Sequence, residues 1–337
     1  MLFHIPWAME SKKNRGPWVL AIALFLVGLT IGGALVGSSR GMNSPTSSTV
    51  TTTAPISNGP VLKVLATFFP LQNWAAAVGG NKAKVSLLVP VSIDVHEFEP
   101  SPAAIQAIAE ANILVLNGAG FETWASAAIA AANNPHLIVV DCSVGISLIK
   151  LPPQFQLGNR TIDPHIWNDP VDAMAMVKNI LAGFIQADPS DASYFTANAN
   201  AYENALQILN QEFVDLTSSQ LATRDFATFH TAWGYLAQQY NLTQIPVFGP
   251  FEDQPTPADI QNVVNAINQD KLCYVGYESL ENPAIPQTIA AQTHATLVPM
   301  DPNEGLSQQQ QAVGETYLTM MQTMLFVMTL ALTRVGC

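Results

Sequence analysis

The sequence predicts two α/β lobes, each built on a parallel sheet, joined by one long helix. Three observations predict this fold: short motifs that recur in the two halves of the chain, short apolar strands that alternate with helical patterns, and a long amphipathic stretch between the halves. The chain has 337 residues, which exceeds the size at which one hydrophobic core usually suffices. We therefore expect two lobes after an N-terminal extension.

The N-terminal extension carries the pattern of a membrane-targeting segment. Lys12, Lys13 and Arg15 precede an uncharged apolar run at 18–36, which is close to the length that a helix needs to cross a bilayer. Basic residues before such a run keep that end in the cytoplasm, so the remainder is expected at the extracytoplasmic face, or secreted after cleavage. We predict three segments: a cytoplasmic end at 1–17, a transmembrane anchor or signal at 18–37, and a Ser/Thr-rich tether at 38–59.

Three short motifs recur in the same order in both halves, at nearly constant separation. The first is an Ala-Thr-Phe run, the second places Ser or Thr before Pro at the start of a helix, and the third is a β-rich run that reaches an aspartate. The matched pairs are 66–69 with 227–230, 101–106 with 256–261, and 137–141 with 296–301. Three echoes in one order indicate two copies of one α/β unit.

Strand, helix, strand alternation within each half predicts parallel sheets that are covered on both faces. In the N-terminal lobe, 60–189, we predict strands at 61–66, 84–89, 113–116 and 137–141. In the C-terminal lobe, 220–337, we predict strands at 226–229, 245–248, 273–277 and 296–299. Apolar residues recur at mostly helical intervals at 190–219, which predicts a rigid connecting helix of roughly 40 Å.

Composition narrows the classes of function. With 25 acidic and 13 basic residues, the chain is not expected to bind nucleic acid. Cys142, Cys273 and Cys337 are too few and too scattered for a disulfide framework or a zinc ribbon. At most one bridge is open to them, and none is predicted.

Four metal-competent side chains are spread through the two predicted lobes: His96, His165, His230 and Asp301. His96 follows the second strand of the first half, whereas His230 and Asp301 end the first and last strands of the second half. Ligands of open α/β sheets bind beyond the carboxyl ends of strands, so we expect these residues to meet in the cleft between the lobes. Three imidazoles and one carboxylate complete the shell of a divalent transition metal such as zinc.

Each of these residues also has an ordinary structural interpretation. A histidine at a strand end can be a satisfied polar residue, and Asp301 before Pro302 can begin a turn, the role that we expect for Asp141 in the first half. Glu278 ends a predicted strand and is expected to orient the ring of a ligand histidine. His136 lies in a polar connection and is expected to be exposed.

The sequence around these residues resembles a known family. The motifs at 96–102 (His-Glu-Phe-Glu-Pro-Ser-Pro), 163–167 (Asp-Pro-His-Ile-Trp), 230–235 (His-Thr-Ala-Trp-Gly-Tyr) and 300–302 (Met-Asp-Pro) resemble the four ligand motifs of the solute-binding proteins of zinc and manganese ABC transporters. The resemblance covers the chain from about residue 61 onward. It implies a monomeric extracytoplasmic receptor, not an enzyme, that delivers one divalent ion to a membrane permease, and it assigns the ligand roles to His96, His165, His230 and Asp301.

The metal is expected to be Zn²⁺ as bound cargo, with Mn²⁺ as the alternative. A nitrogen-rich shell favours zinc, whereas the segment at 141–162 lacks the histidines that many zinc members of the family carry there. A surface zinc hydrolase is a less favoured alternative, because the fourth position is filled and no His-Glu-x-x-His helix is present. A surface adhesin on the same fold also stays open.

Overall fold

Two parallel sheets organise the part of the chain that the computed structural model describes, residues 61–91, 93, 95–251 and 255–337. The first sheet contains β1 (Leu62–Ala66), β2 (Ala83–Leu87), β3 (Ile113–Leu116) and β4 (Ile138–Asp141), in the order β2-β1-β3-β4. The second contains β5 (Asp225–His230), β6 (Thr243–Phe248), β7 (Tyr274–Tyr277) and β8 (Thr296–Pro299), in the order β6-β5-β7-β8. Because the two orders match strand for strand, the lobes repeat one topology, as the recurring motifs predicted.

Strand composition explains the position of each strand in its sheet. The central strand β3 is apolar throughout and buried along its whole length, as expected for a parallel strand that is covered on both faces. The edge strand β2 alternates between half-buried and exposed residues. In the second sheet, the edge strand β6 contains Pro246. An edge strand tolerates proline because one side of its backbone needs no ladder hydrogen bonds.

Helices cover both sheets and begin at recognisable signals. Ser101 and Thr256, which open the second recurring motif in each half, cap their helices by accepting hydrogen bonds from Ala104 N and Asp259 N, each with Pro at the first position. The helices of the described part are α1 (Phe69–Gly79), α2 (Pro102–Glu110), α3 (Ala125–Ala132), α4 (Pro170–Ala187), α5 (Ala192–Ser218), α6 (Gly234–Gln239), α7 (Pro257–Asp270), α8 (Ala284–Thr293), α9 (Gln308–Val313) and α10 (Tyr317–Thr333).

The long helix α5 joins the lobes, as predicted. Its 27 residues correspond to roughly 40 Å at 1.5 Å per residue. Phe195, Leu206 and Phe213 bury one face of α5 in the same hydrophobic cluster as strand β1 of the first lobe and helix α6 of the second. Helix α10 adds Met321, Met324 and Met328 to this cluster, so the connecting helix is packed rather than exposed as a hinge.

One disulfide bond was not predicted. Cys273 and Cys337 are bridged, with their Cα atoms 5.4 Å apart. No local motif indicates this pairing, because 64 residues separate the two cysteines. They are brought together by an antiparallel bridge between Leu272 and Val335, where the chain after α10 returns to β7. Cys142 is a buried thiol.

The predicted membrane and tether segments, 1–17, 18–37 and 38–59, lie outside the described residues and remain predictions. In the described part of the chain, none of the helices combines the length and apolarity needed to cross a bilayer.

Candidate metal centre

Four side chains from four separate segments converge in the cleft between the lobes. His96 follows β2, His165 precedes α4, His230 is the last residue of β5, and Glu304 follows β8. Each of them offers a ligand atom, and these atoms all lie within 4.8 Å of one another. The structure therefore brings together the three histidines that the sequence singled out, with a different carboxylate.

The spacing of the ligand atoms matches a tetrahedral zinc site. Glu304 Oε1 lies 3.4 Å from His96 Nε2, 3.2 Å from His165 Nε2 and 3.6 Å from His230 Nε2, and the last two nitrogens are 3.3 Å apart. Ligands bound at about 2.0–2.1 Å from zinc at the corners of a tetrahedron lie roughly 3.3–3.4 Å from one another. Four of the six separations between these atoms thus match the edges of a zinc tetrahedron, and all six lie within 4.8 Å.

Aromatic rings enclose the cluster and limit access of water. The side chains of His165 and His230 are fully buried, and that of Glu304 is 10% exposed. Phe121 packs edge-on against the ring of His96 at 5.2 Å, and Trp167 lies 5.0 Å from the ring of His165. In such a low-dielectric environment, the electrostatic attraction between a cation and its ligands is stronger than in water.

Two carboxylates orient the ligand histidines. Asp163 Oδ1 lies 2.8 Å from His165 Nδ1, and Glu278 Oε1 lies 2.6 Å from His230 Nδ1. When Nδ1 donates to a carboxylate, the lone pair of Nε2 points to the metal and the imidazole becomes a better donor. The predicted contact of Glu278 with a candidate ligand histidine is present. Asp163 was missed, although its position two residues before His165 is a local signal that could have identified it.

Charge and burial set the protonation of the cluster. Burial lowers the pKa of His96. Burial acts in the same direction on His165 and His230, but their hydrogen bonds and charge interactions with carboxylates, Asp163 and Glu278 respectively among them, outweigh it and raise their pKa values. Burial alone would raise the pKa of Glu304, yet the surrounding histidines hold it well below its ordinary value. His165 and His230 should therefore hold their protons to higher pH than a free histidine does, and an incoming cation must displace any that remain.

Asp301, the predicted fourth ligand, lies outside the cluster. Its carboxylate accepts hydrogen bonds from Ser279 N at 2.5 Å, Ser279 Oγ at 2.8 Å and Gln310 Nε2 at 2.8 Å. These bonds hold it against the segment after β7 and against helix α9, and Glu304 is the carboxylate that lies among the three histidines. Asp141 accepts from Ser143 N and Oγ, two residues later, as expected for a local turn after β4, whereas the partners of Asp301 lie 22 residues before it and nine residues after it.

A cavity of about 240 Å³ adjoins Glu304. Its acidic lining includes Glu278, Glu281 and Asp301. Negative charge along a cleft attracts cations to it. The chain thus places its ligand cluster beside an opening whose charge favours a metal ion.

The fold and the site together define a metal-binding solute-binding protein, with two α/β lobes, a long connecting helix and a buried ligand cluster between the lobes. The chain belongs to the ZnuA family, whose model, described as zinc-uptake complex component A, periplasmic, matches residues 64–331. This confirms the resemblance to the zinc and manganese ABC solute-binding proteins. The family consists of solute-binding receptors and not enzymes, so the hydrolase alternative is excluded.

Relatives from two bacteria agree with this assignment. The chain is 30% identical over 320 residues to the high-affinity zinc uptake system protein ZnuA of Bacillus subtilis. The aligned region covers 92% of this chain and 95% of that protein. It is 26% identical to the zinc-binding lipoprotein AdcA of Streptococcus pneumoniae over 77% of this chain, but spans only 54% of AdcA. The crystal structure of the Zn(II)-bound ZnuA-like domain of AdcA superposes with a TM-score of 0.71 at 26% identity, over 82% of this chain and all of that domain.

Proposed function

We propose that this protein is the extracytoplasmic zinc receptor of an ABC uptake system. It binds one Zn²⁺ through His96, His165, His230 and Glu304 and delivers it to a membrane permease. The observation that carries the proposal is the spacing of the ligand atoms, because four of their separations, at 3.2–3.6 Å, match the edges of a zinc tetrahedron. The names of the relatives, a zinc uptake protein and a zinc-binding lipoprotein, support zinc as the cargo.

Zinc is favoured over manganese by the chemistry of the ligands. Imidazole nitrogens suit zinc, whereas manganese prefers oxygen donors and six-coordinate geometry. The four atoms of the cluster supply three nitrogens and a single carboxylate in a buried, closed arrangement. We expect zinc to displace manganese from the site at equal free concentrations.

Calorimetric titration of the purified, metal-stripped full chain in detergent tests the proposal. We expect one tight zinc site per chain, its loss in His230→Ala, and its retention in His136→Ala, a histidine remote from the cluster. Tighter binding of manganese in a competition titration would reassign the cargo to Mn²⁺. Equal losses in the two histidine variants would refute the ligand assignment.

Placement outside the cytoplasm is supported by the disulfide and by the family. The bridge between Cys273 and Cys337 is of the kind that persists in oxidising compartments and is rare in the cytosol of mesophiles. The family is described as periplasmic. The apolar run at 18–36 has the length of a membrane anchor or a signal segment. Protease added to intact cells is expected to degrade the metal-binding region if it is anchored outside.

Delivery to a permease is the remaining part of the proposal. Reconstitution of the candidate permease and its ATPase in vesicles, with the zinc-loaded chain added outside, measures it directly. We expect the loaded receptor to stimulate ATP hydrolysis and the His230→Ala variant to leave it at its basal rate. Sedimentation of the same preparation tests the expectation that the receptor is a monomer.

A further inference from the structure

Two buried amides connect three of the four segments that carry the ligands. Asn168 Nδ2 donates to Ala232 O at 3.0 Å, and Asn303 Nδ2 donates to Asn168 Oδ1 at 2.9 Å. Asn168 lies three residues after His165, Ala232 lies two residues after His230, and Asn303 directly precedes Glu304. Both asparagines are at most 1% exposed. Two consecutive buried hydrogen bonds therefore link the three segments that carry His165, His230 and Glu304.

The direction of these hydrogen bonds is fixed. The carbonyl oxygen of Ala232 can only accept, so the Nδ2 group of Asn168 must face it. The Oδ1 atom of Asn168 then faces Asn303 and requires a donor, which only the Nδ2 group of Asn303 supplies in this pair. An oxygen in place of either amide nitrogen would set two acceptors against each other in a buried site, where an unmet hydrogen bond is costly.

The backbone around Asn303 is held in the same place by other contacts. Asn303 has a φ of +64°, a left-handed conformation that asparagine adopts more readily than most residues. The preceding carbonyl, of Pro302, accepts from Trp167 Nε1 at 2.7 Å. Asn303 Nδ2 also lies 3.1 Å from the sulfur of Met321 in α10. The turn before Glu304 is thus held to the protein interior through the carbonyl of Pro302 and through the side chain of Asn303.

We propose that Asn168 and Asn303 are positioning residues that hold His165, His230 and Glu304 in the metal-binding arrangement before the metal arrives. This inference rests on the proposed function and extends it to residues that do not themselves bind the metal. The amides contribute to affinity because ligands that are already in place need no ordering when the ion binds. Partners of this kind typically change metal affinity by about 10–100-fold when they are removed.

The test uses the full chain with four single variants and the double variant Asn168→Ala/Asn303→Gly. Asn168→Ala removes both hydrogen bonds, and Asn303→Gly removes one while it accommodates the positive φ. Asn303→Asp keeps the shape of the side chain but opposes an oxygen to Asn168 Oδ1. Asn179→Ala is the matched control, because Asn179 also donates to two atoms, Cys142 O and Val144 O, on segments that carry none of the ligands.

Zinc affinity is measured by competition with a chromophoric chelator, and the geometry of the site by the visible absorption of the Co²⁺-loaded protein. We expect zinc binding to weaken by about 10–100-fold in Asn168→Ala and Asn303→Gly, with a weaker tetrahedral Co²⁺ band. The double variant should bind zinc nearly as tightly as the weaker-binding of the two single variants. The two substitutions are not additive because they break the same series of hydrogen bonds. Asn179→Ala should keep the zinc affinity and the Co²⁺ spectrum of the wild type, even if the loss of its hydrogen bonds lowers the melting temperature.

Asn303→Asp separates positioning from charge. A negative charge beside the site would strengthen cation binding by attraction alone, whereas the broken chain of hydrogen bonds weakens it. Tighter binding in Asn303→Asp, or wild-type affinity and spectrum in Asn168→Ala and Asn303→Gly, would overturn the inference and leave the receptor function intact. A wild-type protein that binds neither Zn²⁺ nor Co²⁺ would overturn both.

Discussion

Exchange of Glu304 for glutamine distinguishes the two carboxylates that follow β8. Glu304→Gln keeps the shape of the side chain and removes the negative charge that lies within 3.6 Å of all three Nε2 atoms. Closed four-ligand zinc sites bind with apparent free energies of about 10–16 kcal/mol at neutral pH, or about 3 kcal/mol for each ligand. Loss of one ligand should therefore weaken zinc binding about 100-fold.

Asp301→Asn is the matched control for this exchange. Asp301 is bonded to Ser279 and Gln310, so its replacement should cost about 1 kcal/mol of stability for a lost hydrogen bond. Its effect on zinc affinity should stay below about tenfold, the low end of the range for residues around a metal site. Chelator competition gives both affinities, and urea unfolding gives the stabilities. A larger loss of affinity in Asp301→Asn than in Glu304→Gln would restore Asp301 as the ligand and refute the assignment made from the geometry.

Three further changes test other parts of the structure. Because the pKa values of His165 and His230 are raised in the metal-free site, zinc affinity should already fall below neutral pH, by about tenfold per pH unit for each proton displaced; titrations that give equal affinities at pH 7.5 and 5.5 would contradict this. Cys273→Ser opens a loop of 64 residues and should lower the free energy of unfolding by about 2–4 kcal/mol, with no loss of zinc affinity. Burial raises the pKa of Asp169 from 3.8 to about 7, so its contribution to stability is fully present below the lower value and is lost between these two values as the pH rises; Asp169→Asn, which still caps α4, should reduce this decline by up to about 1.4 kcal/mol per pH unit in urea unfolding of the metal-free protein.

The fold was predictable because its signals are local. The described strands are short and mostly rich in apolar residues, and each predicted strand overlaps an observed one. The long helix α5 shows a helical period over its whole length, and the recurring motifs place capped helices in both halves. The pairing of Cys273 with Cys337 was not predictable, because it depends on where the end of the chain returns after α10.

The site was predictable in part. His96, His165 and His230 stand at strand ends or just before a helix, where parallel sheets direct their ligands. Glu304 and Asp301 both follow β8, and the sequence offered no local rule to choose between them. The choice depends on the turn at Asn303, whose left-handed backbone directs the next side chain towards the three imidazoles while Ser279 and Gln310 retain Asp301. Only the folded chain shows that difference.

A crystal structure of the zinc-loaded protein, with the metal located by anomalous diffraction at the zinc edge, tests the central claim most directly. We predict one zinc ion between the lobes, at about 2.0–2.2 Å from the Nε2 atoms of His96, His165 and His230 and from a carboxylate oxygen of Glu304. Zinc bound at another place, or coordinated by Asp301 while Glu304 points away, would contradict it.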